Sequence, residues 1–245
     1  MYFVDTIEVP GLGNRGYLAG GPSGAAAVDP PRDIDRVIAA AARRGARIAY
    51  VVETHVHNDY VAGGLELARL TGAAYPVPAG ARVAYERVPA HDGDTVEIDA
   101  ELTLRAIATP GHTPHHMAYV LEESGVAVAA FTGGSLLIGT VGRPDLVEPR
   151  LTGEPARAQH ASAHRPAETL PEETAVLPTH GSGASVPPGG PRATRRRSGG
   201  SGSATRPWSR TRTRSSRSCW RRSTTYRRTT RAWVPPTRKG RRRWI

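Results

Sequence analysis

Cysteine is nearly absent from this chain: Cys219 is the only one among 245 residues. The first 184 residues therefore form no disulfide and offer no thiolate to a metal. Lysine is almost as scarce, with Lys239 alone. No apolar run approaches the ~20 residues that a membrane helix needs. Met1-Tyr2-Phe3-Val4-Asp5 has neither a basic n-region nor a long apolar core, so no secretory leader is expected. The expectation is a cytoplasmic protein without a membrane partner.

Acid is missing from one end. Residues 1–184 carry 14 Arg, no Lys and 22 Asp plus Glu, a net of −8, whereas residues 185–245 carry 18 Arg, one Lys and no acid, a net of +19. The overall +11 averages two segments with different rules. All four tryptophans (Trp208, Trp220, Trp233 and Trp244) lie in the second segment. Unneutralised arginine opposes compaction, so residues 185–245 read as a disordered basic tail, able to bind nucleic acid nonspecifically. They also read as an out-of-frame translation of a GC-rich gene. With suitable synonymous codons, T-R-P-W-S-R-T-R-T, Thr205 to Thr213, can be read one base earlier as N-P-A-L-V-E-D-E-D, and two further segments can be read coherently in the same frame. That places a frameshift near Gly183 to Ser185.

Residues 1–184 are long enough to bury a core. Strands are expected at 2–9, 16–20, 25–28, 47–53, 95–98, 102–108, 117–121, 126–131 and 174–177, with Pro10 to Arg15 and Asp29-Pro30-Pro31 as turns. Helices are expected at 33–44, 61–70 and 156–170 from apolar spacing. Strands and helices alternate with several hairpins, which implies α/β with mixed sheets.

Histidines gather where strands end. His55, His57 and Asp59 follow the strand ending at Glu53, in T-H-V-H-N-D-Y. His112 stands in T-P-G-H-T, Gly133-Gly134 follow Phe131, and His180 stands in P-T-H-G. Loops at strand ends are where sites collect, and imidazole suits zinc and iron alike. Spacing alone does not show that these groups converge.

H-V-H-N-D, T-P-G-H-T, F-T-G-G, G-R-P-D-L and P-T-H-G, in this order, resemble the metallo-β-lactamase fold, and most closely its persulfide dioxygenase and glyoxalase II branch. The nearest variety is the bacterial type fused to rhodanese domains. The resemblance covers residues 1–184 and implies an αββα sandwich that lacks its last helix, with any rhodanese domain encoded downstream. It implies a first metal site of His55, His57 and His112, and a second drawing on Asp59 and His180. Tyr60 stands where a second-site histidine is usual, and Gly134 where a bridging aspartate is usual. One divalent metal is therefore expected, Fe(II) before Zn(II). Asp59 and Tyr60 are the candidate catalytic residues. Arg143 and His116 are the candidate substrate contacts, with Arg143–Asp145 alternatively an internal ion pair and His115 and His116 at the pocket rim. His91, His160 and His164 read as solvent-facing or structural.

The implied activity is oxidation of a small thiol persulfide by dioxygen to sulfite and thiol. The alternatives are a zinc thioester hydrolase of the hydroxyacylglutathione hydrolase kind, an inactive frameshifted product, and a tail-mediated nucleic-acid binder.

Overall fold

The computed structural model describes residues 1–145 and 153–181. The expected disordered tail, 185–245, and the expected absence of a last helix fall outside these residues.

Two sheets form the body. The first has the order β1 (Phe3–Val9), β2 (Asn14–Gly20), β3 (Gly24–Val28), β4 (Arg47–Val52). The second has the order β13 (Ala175–Pro178), β10 (Val126–Gly133), β9 (Met117–Glu123), β8 (Leu102–Ala108), β7 (Thr95–Asp99). Both are mixed: β3 runs parallel to β4 and β10 parallel to β13, while the other neighbours are antiparallel.

Strand alternation sorts the side chains into layers. On β3, Ala25 and Ala27 face outward to α1 (Ile34–Arg44) and α2 (Gly64–Thr71), where they meet Val37, Ala41 and Leu67. Ala26 and Val28 face the other way, into a core between the sheets that holds Tyr17, Leu104, Tyr119 and Phe131. Behind the second sheet a smaller cluster of Ile107, Val120 and Ala130 packs with Leu170, just past α3 (Gly153–Thr169). Helix, sheet, sheet, helix is the expected αββα sandwich.

Several elements differ from the sequence reading. The helix expected from Val61 starts at Gly64. Ala62 instead bridges Pro31, and the Gly63 N–H donates to the Pro30 carbonyl at 2.9 Å, which leaves Val61 exposed. Two short strands bounded by or containing proline, β5 (Pro76–Pro78) and β6 (Val88–Ala90), pair in parallel. They went unread because proline argues against a strand interior; both are three-residue edges. β11 (Leu136–Leu137) and β12 (Thr140–Val141) form a small hairpin after β10. It carries the chain back over Gly134.

No described helix is long and apolar enough to cross a membrane.

Candidate metal centre

The two sheets are laced together at one end. The Met117 N–H donates to the Thr54 carbonyl (2.7 Å), the Thr179 N–H to the Gly133 carbonyl (3.1 Å), and the Arg15 N–H to the Thr179 carbonyl (2.8 Å). These bonds hold the ends of β4, β10 and β13 against the starts of β9 and β2. The histidines of three separate motifs therefore meet there.

His55, His112 and His180 each bring one ring nitrogen within 4.8 Å of the others. The Nε2 atoms of His55 and His180 are 3.2 Å apart. Each ring is anchored through its other nitrogen. Thr54 Oγ1 spends its proton on Asp29 Oδ2 (2.7 Å), so it accepts from His55 Nδ1–H at 2.9 Å. His112 Nδ1–H donates to the Arg143 carbonyl at 3.1 Å. His180 Nδ1–H donates to Asn14 Oδ1 at 3.2 Å, and Asn14 Nδ2 in turn donates to Asp59 Oδ2 at 3.1 Å. With Nδ1 protonated in all three rings, each Nε2 keeps its lone pair for the shared space.

Burial keeps these rings neutral. It pushes His55 well below the ordinary histidine value, and neighbouring imidazoles push it further. His112 falls to about 4 by burial and then by His180, and His180 is lowered chiefly by burial. Three neutral imidazoles with converging lone pairs fit a divalent ion of the zinc or iron type.

His57 is oriented differently. Its side chain is 1% exposed, and its Nε2 lies 3.2 Å from Asp29 Oδ1 and 3.5 Å from Glu53 Oε2. Burial alone would lower its pKa, but the Asp29 carboxylate and then Glu53 outweigh burial and raise it to about 10. His57 groups with Asp29 and Glu53 on one side and with Asp59 and His180 on the other. The five expected metal residues are thus all at this end of the sandwich; His180 lies with Asp59 and His57, in keeping with the expected second pairing, and also with His55 and His112.

Asp29 and Glu53 were not picked out from the sequence. Asp29 is fully buried with φ at 45°, and it accepts the Thr54 N–H (2.7 Å), the Thr54 hydroxyl and the Thr179 hydroxyl. Burial opposes its ionisation, but His57 and the two threonines overcome this and hold it at about 2. A non-glycine residue in the left-handed region at a strand end is a mark of functional strain, although V-D-P-P reads only as a turn. Glu53 is raised by burial; its Oε1 accepts the Tyr75 hydroxyl at 3.1 Å, and its Oε2 has no hydrogen bond.

Tyr60 lays its ring on His57, with centroids 4.4 Å apart, and its hydroxyl donates to the Asp29 carbonyl at 3.4 Å. Burial pushes its pKa up, so it stays neutral. Asp59 is 45% exposed and lies 3.5 Å from His180 Nδ1.

The reading of His116 as a rim residue and substrate contact is corrected. It is 1% exposed, stacks beneath His55 (4.9 Å, 26°), accepts the Gly134 N–H on Nε2 (3.0 Å) and bonds Thr109 Oγ1 through Nδ1 (2.8 Å). Both nitrogens are spent inside the protein. Arg143 is 67% exposed and pairs with Asp145 at 2.9 Å, as the ion-pair alternative had it, while its carbonyl orients His112. His160 and His164 lie side by side along α3 with their rings tilted by 42°, and His91 is exposed beside Asp94.

The metallo-beta-lactamase superfamily description matches residues 17–180. A hydroxyacylglutathione hydrolase of Pseudomonas putida is 34% identical over 130 residues, covering 53% of this chain and 46% of its own. The human mitochondrial persulfide dioxygenase ETHE1 is 32% identical over 136 residues, covering 56% and 50%. The chain spans about half the length of these curated relatives. Among solved structures, ETHE1 of Myxococcus xanthus aligns with a TM-score of 0.64 at 28% identity, over 74% of this chain and 76% of that one.

Proposed function

The chain belongs to the metallo-beta-lactamase superfamily, in the branch that includes hydroxyacylglutathione hydrolases and persulfide dioxygenases, and from that premise we propose that it is a mononuclear metalloenzyme of sulfur metabolism that oxidises thiol persulfides. The observation that carries this reading is the state of the second metal position. Gly134 brings no carboxylate to the cluster, and the Tyr60 hydroxyl is taken by the Asp29 carbonyl. Among the described residues, the His55–His112–His180 group contains no bridging acid. A two-metal hydrolase needs ligands that this chain has replaced.

One ion would be held by the imidazole cluster, and Fe(II), favoured over Zn(II), would supply the redox chemistry for sulfur and dioxygen. The protein's own part is to keep the rings neutral and aimed. Thr54, the Arg143 carbonyl and Asn14 fix the three Nδ1 protons, while Asp29 anchors Thr54. The reaction balances as RSSH + O2 + H2O giving RSH, sulfite and two protons. The outer sulfur is oxidised from zero to +4, and dioxygen takes the four electrons. Arg143, whose exposed guanidinium pairs with Asp145, would exchange that partner for an acidic group of the thiol carrier. A rhodanese domain encoded downstream would be a fitting partner for the same sulfur chemistry.

Thioester hydrolysis is the second reading, favoured by the 34% identity to the Pseudomonas hydrolase. Water would then be activated at the same cluster and attack the thioester carbonyl. Parallel assays separate the two: iron-loaded protein with glutathione persulfide, scored for sulfite, and zinc-loaded protein with lactoylglutathione, scored for thiol release. Sulfite formation above the thioester rate is expected. Thioester hydrolysis without sulfite would reverse the assignment.

A further inference from the structure

We propose that the third nitrogen beside His55 and His112 on the ion is that of His180, not His57, and that Gly134 is the positioning residue that makes this set possible. The proposal rests on the metalloenzyme reading above, and it names which side chains serve the ion.

His180 has one nitrogen to give. Its Nδ1 is held by Asn14, and its Nε2 is 3.2 Å from that of His55. It therefore serves the group with His55 and His112 or the group with Asp59 and His57, not both. His57, in contrast, is gripped from behind. Asp29 and Glu53 lie against its Nε2, and Tyr60 lies against its ring, while its buried Nδ1 has no hydrogen-bond partner and turns to the group with Asp59 and His180. It joins no nitrogen group with both His55 and His112 among the described residues.

Gly134 explains why His112 reaches inward. A Cβ built on Gly134 would collide with Cδ2 and Nε2 of the His112 ring, the atoms on its metal-facing side. The backbone there cannot easily withdraw. Its N–H is bound by His116 Nε2 at 3.0 Å, and Gly142 is pressed against its carbonyl, where a Cβ would also lie 2.8 Å from His112 Nδ1. Any side chain at 134 must therefore push the imidazole out of its place. An aspartate at this position and the observed pose of His112 exclude each other. The absence of a side chain at 134 thus leaves His112 in the pose that groups it with His55 and His180.

The test uses Co(II) as probe with the full chain and no substrate, so failure of the persulfide reaction leaves it intact. Equilibrium titration and the visible d–d spectrum report stoichiometry and ligand field. The expected results are one Co(II) per wild-type chain, at least tenfold weaker binding in both His180→Ala and Gly134→Ala, and one ion with an unchanged band in His57→Asn, which keeps an N–H toward Asp29. The proposal is overturned if His57→Asn loses the ion while His180→Ala keeps it, or if the wild-type chain binds two ions. Should His57→Asn fail to fold, proton NMR of the Co(II) form decides. Wild type should show three shifted, exchangeable imidazole N–H resonances; loss of one in His180→Ala supports the set, and survival of all three refutes it.

Discussion

Asp29→Asn offers a sharp test of how the centre is supported. The carboxylate is fully buried, faces His57 Nε2 at 3.2 Å, and accepts one N–H and two hydroxyl protons. An amide keeps one acceptor but turns two N–H groups toward donors, so at least one hydroxyl must rotate. Thr54 Oγ1 then faces donors from both sides, since it already accepts from His55 Nδ1. Breaking one partner of a buried charged pair costs about 3–5 kcal/mol. At roughly 2–4 °C per kcal/mol for a chain of this size, Tm should fall by about 6–20 °C. Calorimetry or circular dichroism of the metal-free chain at pH 7 measures it. The pH dependence adds a signature. Because the folded pKa of about 2 lies below the ordinary 3.8, the stabilisation is complete above 3.8 and is lost as pH falls toward 2. Linkage makes the lost part about 2.5 kcal/mol. The wild-type advantage should therefore narrow between pH 4 and 2. A Tm change below about 2 °C, or a gap that stays constant through that window, would refute the anchoring role of Asp29.

Three further outcomes are expected. Gly64→Ala should destabilise by about 1–3 kcal/mol through overpacking, because its Cβ would collide with Glu53 Oε1 and lie 2.7 Å from the Tyr75 hydroxyl; urea unfolding at pH 7 checks this, and wild-type stability would contradict it. Protons compete for metal ligands only where the imidazoles titrate, and His112 is held down to about 4. Metal release on acidification should therefore have its midpoint well below the ordinary histidine pKa of ~6.5; release centred at 6–7, followed by a fluorescent chelator, would contradict the burial argument. Reading the coding DNA in three frames past codon 184 should find an open frame for a neutral-to-acidic continuation, and its absence would sink the frameshift reading of residues 185–245.

The histidines could be read from the sequence because each sits in its own short motif after an apolar run. Motif order carries fold information even when the distances between motifs do not. Which ring faces which neighbour could not be read this way. The orientation of His57 depends on Asp29 and Glu53, one 28 residues away across a parallel strand pair and the other hidden in a strand end. Asp29 before proline reads as a turn, and Glu53 reads only as the last residue of a strand, so neither stands in a motif of its own. His116 misled in the opposite sense, since three histidines within five residues look like a polar rim. In the fold, His116 lies where β9 begins to enter the sheet, buried under His55. The start of α2 was drawn too early because Val61 continues the apolar periodicity, yet the Gly63–Pro30 hydrogen bond holds residues 61–63 out of the helix.

The most direct test of the account is oxygen consumption by the iron-loaded chain on adding glutathione persulfide. One dioxygen taken up per persulfide, with sulfite formed in equal amount and the uptake abolished in His55→Ala and His112→Ala, is the predicted result. A folded, iron-loaded chain that consumes no oxygen while hydrolysing a glutathione thioester would contradict it.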